Sequence, residues 1–226
     1  MSLFVDPTVA GAPRRADEMR HADAAAEEWV FTAWTADGTV GLVSGLRVTG
    51  AASWYWAALA RADRALLHVT DWSVPPRADP LLVKGHGLWA EHTCDAPMEQ
   101  WTVANETYAT ALDDPGDALD RAYGVPTALS WDLEWYAVAP PVWHHTPAGY
   151  EQAGVVHGVV ELPDGAGFEL REVPAHRWHR WGAALAPVPL PGAVAHHGRR
   201  AVFGFPDGTV ADWVLTPDGW RARRPL

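Results

Sequence analysis

An all-β protein, built as an antiparallel lipocalin-like barrel or sandwich of roughly a dozen strands, follows from three features of this chain. Short apolar and aromatic runs recur at regular spacing. Turn signals with Asp-Gly separate many of them, at Asp37-Gly38, Asp164-Gly165, Asp207-Gly208 and Asp218-Gly219. Proline pairs, Pro75-Pro76 and Pro140-Pro141, punctuate the runs, as expected of a residue that cannot donate to a central ladder.

Residues 1–26 are rich in Ala, Arg and Asp and show no strand periodicity. They read as an N-terminal arm or lid, with good helix formers placing one polar helix over Arg14 to Glu28. From Glu27 the pattern becomes strands. EEWVFTAWT and TVGLVSGLRVT form a hairpin, SWYWAALAR and RALLHVTDW a second, and HGLWAEHT with MEQWTVANETYATAL a third. Asp113 to Tyr123 is a short-helix candidate with Asp and Pro at its start. ALSWDLEWYAV is a strand closed by Pro140-Pro141. A hairpin follows over Gly149–Leu162 and Phe168–Val173, then a less regular HRWHRW segment and a Pro-rich connector, APVPLPG. RRAVFGF, TVADWVL and WRARR end the chain as a meander. The organisation is a first barrel-like half over 27–140 and a shorter second half over 141–226 packed on it, or one larger sheet closing over both.

Several strands are apolar on both faces. Trp29, Phe31 and Ala33 point one way, while Val30, Thr32 and Trp34 point the other. One face must then be covered by another sheet, the N-terminal arm or a partner chain. The other lines an interior that is either a slot for an apolar ligand or a dry core filled by its own rings.

Composition narrows the function classes. The formal net charge of -11 argues against a nucleic-acid backbone as partner. One cysteine, Cys94, excludes an internal disulfide framework and suits a reducing compartment. No export signal and no membrane-length apolar run is visible, so a cytoplasmic protein is expected. Among the eleven histidines, the adjacent pairs His144-His145 and His196-His197 point to opposite strand faces. His176 and His179 converge only on a helix or bulge. No metal site and no cofactor is expected from these spacings. There is no Gly-x-Ser-x-Gly elbow and no phosphate loop.

The stretch from Gly149 to Gly182 stands apart. It carries Glu151, Gln152, His157, His176, Arg177 and His179 among glycines and tryptophans, and reads as the polar wall of an aromatic-lined pocket. LSWDLEWYAVAPP, GYEQAGVVHGVVEL and AHRWHRWG together resemble a lipocalin-like family that includes carotenoid 1,2-hydratase (hydroxyneurosporene synthase) and the AttH-like proteins. Asp132-Leu133, Tyr150-Glu151-Gln152, Gly154, Gly158 and the run Arg177 to Gly182 carry the resemblance. Family members usually have two full barrel-like halves, and too few residues follow Tyr150 here for a second eight-stranded barrel. The resemblance implies a hydrophobic, isoprenoid- or polyketide-like ligand, and an acid-assisted hydration or cyclisation.

Such chemistry needs an acid whose proton is retained by apolar surroundings. Asp132, Glu134 and Glu151 are the acid candidates, although strict alternation turns Asp132 and Glu134 to solvent when Trp131 and Trp135 face inward. Rings of Trp101, Trp131, Trp135, Tyr150, Trp178 and Trp181 would line the pocket and stabilise a developing cation. His157, His176 and His179 are candidate bases or anchors for a ligand carboxylate, with Arg177 as its charged partner and Gln152 beside it. The alternative is a non-catalytic module that forms a homodimer through its aromatic face.

Overall fold

The computed structural model describes residues 14–145, 148–190, 193–194 and 199–223. The first hairpins form as the turns dictate: β1 (Ala26–Trp34) with β2 (Val40–Thr49), and β3 (Ser53–Arg61) with β4 (Leu66–Val74). Next come β5 (Leu82–Gly85), β6 (Leu88–Ala96), β7 (Gln100–Leu112), β8 (Val125–Ala137), β9 (Val142–His145), β10 (Ala148–Glu161) and β11 (Phe168–Gly182). Antiparallel pairing runs in the order β4-β3-β2-β1-β11-β10-β8-β7, and β7 pairs back onto β4 at Leu66↔Leu112 and His68↔Thr110. The strands thus close into a ring. The β5–β6 hairpin continues from β7, and β9 lies along β10.

The division expected between residues 140 and 141 falls inside this sheet, because β10 pairs with β8 across it and β11 pairs with β1. One larger sheet therefore closes over both halves. HRWHRW is a continuous part of β11, held between β1 and β10 on both edges. The short strands β12 (Ala193–Val194), β13 (Arg200–Gly204), β14 (Val210–Thr216) and β15 (Gly219–Arg223) make a separate small sheet.

The long polar helix expected over Arg14 to Glu28 is one 3-10 turn at Arg15–Glu18, and Ala26 already belongs to β1. Glu27 and Glu28 are drawn into the strand by buried partners, His179 for one and Arg47 and Arg180 for the other. Those ties outweigh helix preferences of a few tenths of a kcal/mol per residue, roughly. Asp113 to Tyr123 likewise shortens to a 3-10 turn over Pro115–Leu119, capped where Gly116 N donates to the Asp114 carboxylate.

The pleat sorts side chains into two cores. Inside the ring, Trp29, Phe31, Leu46, Tyr55, Trp101, Trp131, Trp135 and Val156 pack together. The space left beside Phe31, Trp131 and Trp135 is about 10 Å³, room for a single water. Among the described residues the interior is thus a ring-filled core, with no ligand-sized space beside Trp131 and Trp135. Gly154 makes this possible: a Cβ there would lie 2.3 Å from the Trp135 ring, which rests flat on the β10 backbone.

Outside the ring, Val30, Val43, Trp56, Ala58 and Trp178 form a second core with Phe203, Phe205, Trp213 and Trp220 of the small sheet. The aromatic outer face that needed a cover is covered by the chain's own C-terminal sheet.

Two histidines are sealed in these cores. His68 Nε2 donates to the Val202 carbonyl at 3.0 Å, and burial pushes its pKa down to about 4. His92 Nε2 lies 2.9 Å from Ser44 Oγ, and burial pushes it down to about 3. An unfolded histidine takes its proton near pH 6.5, which these folded sites refuse. As pH falls below that value the unfolded state binds the extra protons and stability declines. The expected slope is about 1.4 kcal/mol per pH unit for each histidine until its folded pKa is reached. Urea midpoints measured from pH 7 to 4.5 should fall steadily, and a flat profile would contradict the burial of both rings.

Candidate functional site

Alternation along β10 and β11 divides the polar stretch between opposite faces. Tyr150, Gln152, Arg177 and His179 point into one mouth of the ring, whereas Glu151, His176 and Trp178 point outward. What reads in sequence as one polar wall is two sites back to back.

The mouth is closed by the N-terminal turn. Glu18 reaches in and accepts from Arg177 Nη1 at 2.9 Å and Nη2 at 2.7 Å, from Met98 N at 2.6 Å, and from the Tyr150 hydroxyl. Gln152 Oε1 accepts from Arg177 Nε at 3.1 Å and Nη2 at 2.7 Å, and its amide donates to the Met98 and Ala139 carbonyls. The guanidinium lies 4.9 Å from the Trp135 ring centre and 5.5 Å from that of Trp101. Burial alone would raise the Glu18 carboxyl, but the hydrogen bonds and charge of Arg177 outweigh it and hold it below the usual carboxylate value. Burial pushes the Tyr150 hydroxyl far up, so it stays a donor. Trp101, Trp135, Tyr150, Gln152 and Arg177 are therefore brought together here: Tyr150 and Arg177 donate to Glu18, Gln152 is tied to Arg177 and two carbonyls, and the buried indole nitrogens of Trp101 and Trp135 have no hydrogen-bond partner among the described residues.

Beside this pair, Glu27 Oε1 lies 2.7 Å from His179 Nε2 and 2.8 Å from His21 Nδ1. The three donor atoms fall within 4.8 Å of one another. Burial drives the His179 pKa down, against the opposing pull of Glu27, and so favours the neutral ring. Trp181 stacks on His21 with ring centres 3.8 Å apart. Glu18, His21 and Glu27 were not among the expected site residues. Glu18 and His21 sit in an Ala-rich segment without periodicity, Glu27 opens the first strand, and Arg177, Tyr150 and His179, which they meet, lie over a hundred residues away, so no local pattern marks them.

The outward site is a cleft between the ring and the small sheet, about 240 Å³ in volume. Glu151, His176, Trp178 and Trp34 line it from the ring, and Asp218, Trp220 and Arg221 from β15 and its turn. Glu151 Oε2 accepts from Trp178 Nε1 at 2.9 Å and lies 3.3 Å from His176 Nε2; its Oε1 is 3.5 Å from His144 Nε2. The hydrogen bond from His176 is the main cause that lowers the Glu151 pKa, with burial opposing it. Glu151 is half-buried yet ionised.

The acid candidates consequently do not meet their requirement. Asp132 and Glu134 face solvent on β8, with Glu134 accepting from Tyr136 at 3.0 Å, so neither sits in apolar surroundings. Glu151 has an apolar setting but has lost its proton. His157 stands half-buried on the outer face, edge-on to Tyr136, beside the irregular pairing between Val156 and Gly158. It joins neither group of residues. A wider groove of about 620 Å³ runs past Lys84, Trp89, Glu106, Tyr108, Ser130 and Glu161, but none of its titratable side chains is buried.

No helix among the described residues is long and apolar enough to cross a membrane. Comparison with known proteins finds no match among curated proteins or solved structures. It does find the family described as "Domain of unknown function (DUF7064)" over residues 14–187, which takes in the N-terminal turn and every strand of the ring. Spanning well over half of its length, that match makes the chain a member of the DUF7064 family.

Proposed function

We propose that this protein binds a compact apolar molecule, a single ring system carrying a hydrogen-bond donor or positive charge, in the cleft beneath its C-terminal sheet. The observation that carries this reading is the ionised, half-buried Glu151 surrounded by Trp34, Trp178 and Trp220. Indole faces attract cations, and a carboxylate within an aromatic enclosure favours a ligand that donates to it. At about 240 Å³ the cleft falls below the roughly 300–1000 Å³ of drug-sized sites, which selects a small ligand over an extended isoprenoid chain. The sequence resemblance to an isoprenoid-handling family supports the broader class of apolar small molecules.

The titratable pair on the ring side of this cleft is His176 and Glu151, 3.3 Å apart, with the Glu151 carboxyl held below its ordinary value by that contact. Binding, with catalysis secondary, is the function this chemistry supports.

Calorimetric titration with tryptamine and with indole tests it. Tryptamine should bind more tightly, since its ammonium reaches Glu151. Glu151→Gln should weaken tryptamine about 10- to 100-fold, the worth of a charge-assisted hydrogen bond of about 1.5–3 kcal/mol. Equal affinity of the two ligands, or no effect of the substitution, would overturn the reading.

A further inference from the structure

We propose that His21, Glu27 and His179 form a binding site for one divalent transition-metal ion, with Zn²⁺ the best fit, at the mouth of the ring. The donor set is two imidazole nitrogens and one carboxylate oxygen, the combination that zinc accepts while keeping a fourth position for water. Their separations of 2.7 and 2.8 Å from Glu27 Oε1 are hydrogen-bond distances. Donors around a tetrahedral zinc, each about 2.0–2.1 Å from the ion, stand about 3.3–3.4 Å apart. On binding, the two separations from Glu27 lengthen by about half an ångström, and the two imidazole nitrogens, which lie within 4.8 Å of each other, close to about 3.3–3.4 Å.

Charge balance favours a cation here. Glu27 is buried, and neighbouring Arg177 is already neutralised by its two-pronged pairing with Glu18. The groups facing the Glu27 carboxylate are the two imidazoles and the His21 backbone N–H at 2.8 Å. Among the described residues, no arginine or lysine pairs with Glu27.

The surroundings also hold the ligands as a metal site requires. The second nitrogen of His179 lies 3.2 Å from the Tyr150 hydroxyl, and that of His21 lies 3.8 Å from an Asp17 carboxylate oxygen. The Tyr150 contact is of the kind that fixes ring orientation and tautomer in metal centres, whereas the Asp17 carboxylate stands beyond hydrogen-bond distance. Trp29 and Trp181 stack on the two rings. His21 and Trp181 border a surface hollow of about 360 Å³, which gives an ion and its water a way in. Sequence spacing hides this site, because its third ligand comes from the far end of β11.

The test uses the full chain, stripped with a chelator and titrated with Zn²⁺ alone by calorimetry, with metal content counted by mass spectrometry. One equivalent should bind. His21→Gln removes the partly exposed ligand without opening the core, and should weaken that equivalent about 100-fold or more. His86→Gln, in the exposed turn between β5 and β6, should leave it unchanged. Replacement by Co²⁺ should give the visible absorption of a four-coordinate ion and lose it in His21→Gln. Absence of a stoichiometric equivalent, or an equivalent that survives His21→Gln, would overturn the assignment.

Discussion

Glu28→Ala is expected to lower stability by about 3–5 kcal/mol, because it strands two buried guanidinium groups at once. The Glu28 carboxylate accepts from Arg47 at 2.6 and 2.9 Å through one oxygen and from Arg180 through the other. All three side chains are 3 % exposed or less. Arg47 continues to Asp207, in the turn of the small sheet, at 3.1 Å, and Arg180 to the Ala186 carbonyl at 2.8 Å. Two positive and two negative charges therefore cancel beneath the C-terminal sheet, and removing one carboxylate breaks that balance. At about 2–4 °C per kcal/mol for a chain of this size, Tm should fall by about 6 to 20 °C. Replacing Glu28, Arg47 and Arg180 together by apolar residues of similar volume should recover much of the loss. A change in the single variant within about 0.5 kcal/mol, the usual range for surface positions, would contradict the account.

Arg177→Met should cost a comparable amount, about 3–5 kcal/mol, for the mirror-image reason. It leaves the Glu18 carboxylate sealed under the N-terminal turn with only Tyr150 and the Met98 N–H as partners. Gln152 loses both of the guanidinium bonds that orient it. Denaturant unfolding of Arg177→Met, Glu18→Gln and the double variant yields the coupling between them. The double variant should be more stable than the sum of the single losses implies, by about 1 kcal/mol or more. Additive losses would mean that the two side chains act separately. Arg200 offers the contrast, since its pairing with Asp212 is partly exposed and its removal should cost at most about 1 kcal/mol.

Much of the architecture was legible in the strand pattern. Period-two alternation places Trp29, Phe31 and Ala33 on one face of β1 and Val30 and Thr32 on the other, and the structure buries both faces against different partners. The same alternation turns Asp132 and Glu134 to water and Trp131 and Trp135 inward. The ring closure of β7 onto β4 was not legible, because a pairing between strands so far apart leaves no local trace.

The polar stretch was recognised but its geometry was not. A side-chain period of two sends Glu151 and Gln152, or Arg177 and Trp178, to opposite sides of one sheet, so residues adjacent in sequence serve separate sites. Nor could composition reveal that the interior rings would fill their own space. That outcome depends on Gly154 letting Trp135 lie against the backbone, a contact between two strands that neither strand shows alone. Glu18, His21 and Glu27 escaped notice for a related reason: Glu18 and His21 lie in a segment without periodicity, Glu27 reads only as the start of a strand, and the roles of Glu18 and Glu27 are set by the distant Arg177 and His179.

The account places the ligand under the C-terminal sheet and keeps the barrel interior closed. Fluorine NMR of protein labelled with 5-fluorotryptophan, with each signal assigned by single Trp→Phe variants, reads both claims during one titration with tryptamine. Signals from Trp34, Trp178 and Trp220 should move together and saturate, while those from Trp101, Trp131 and Trp135 stay in place. Movement of the interior signals with the cleft signals unchanged would put the ligand inside the ring and contradict the account.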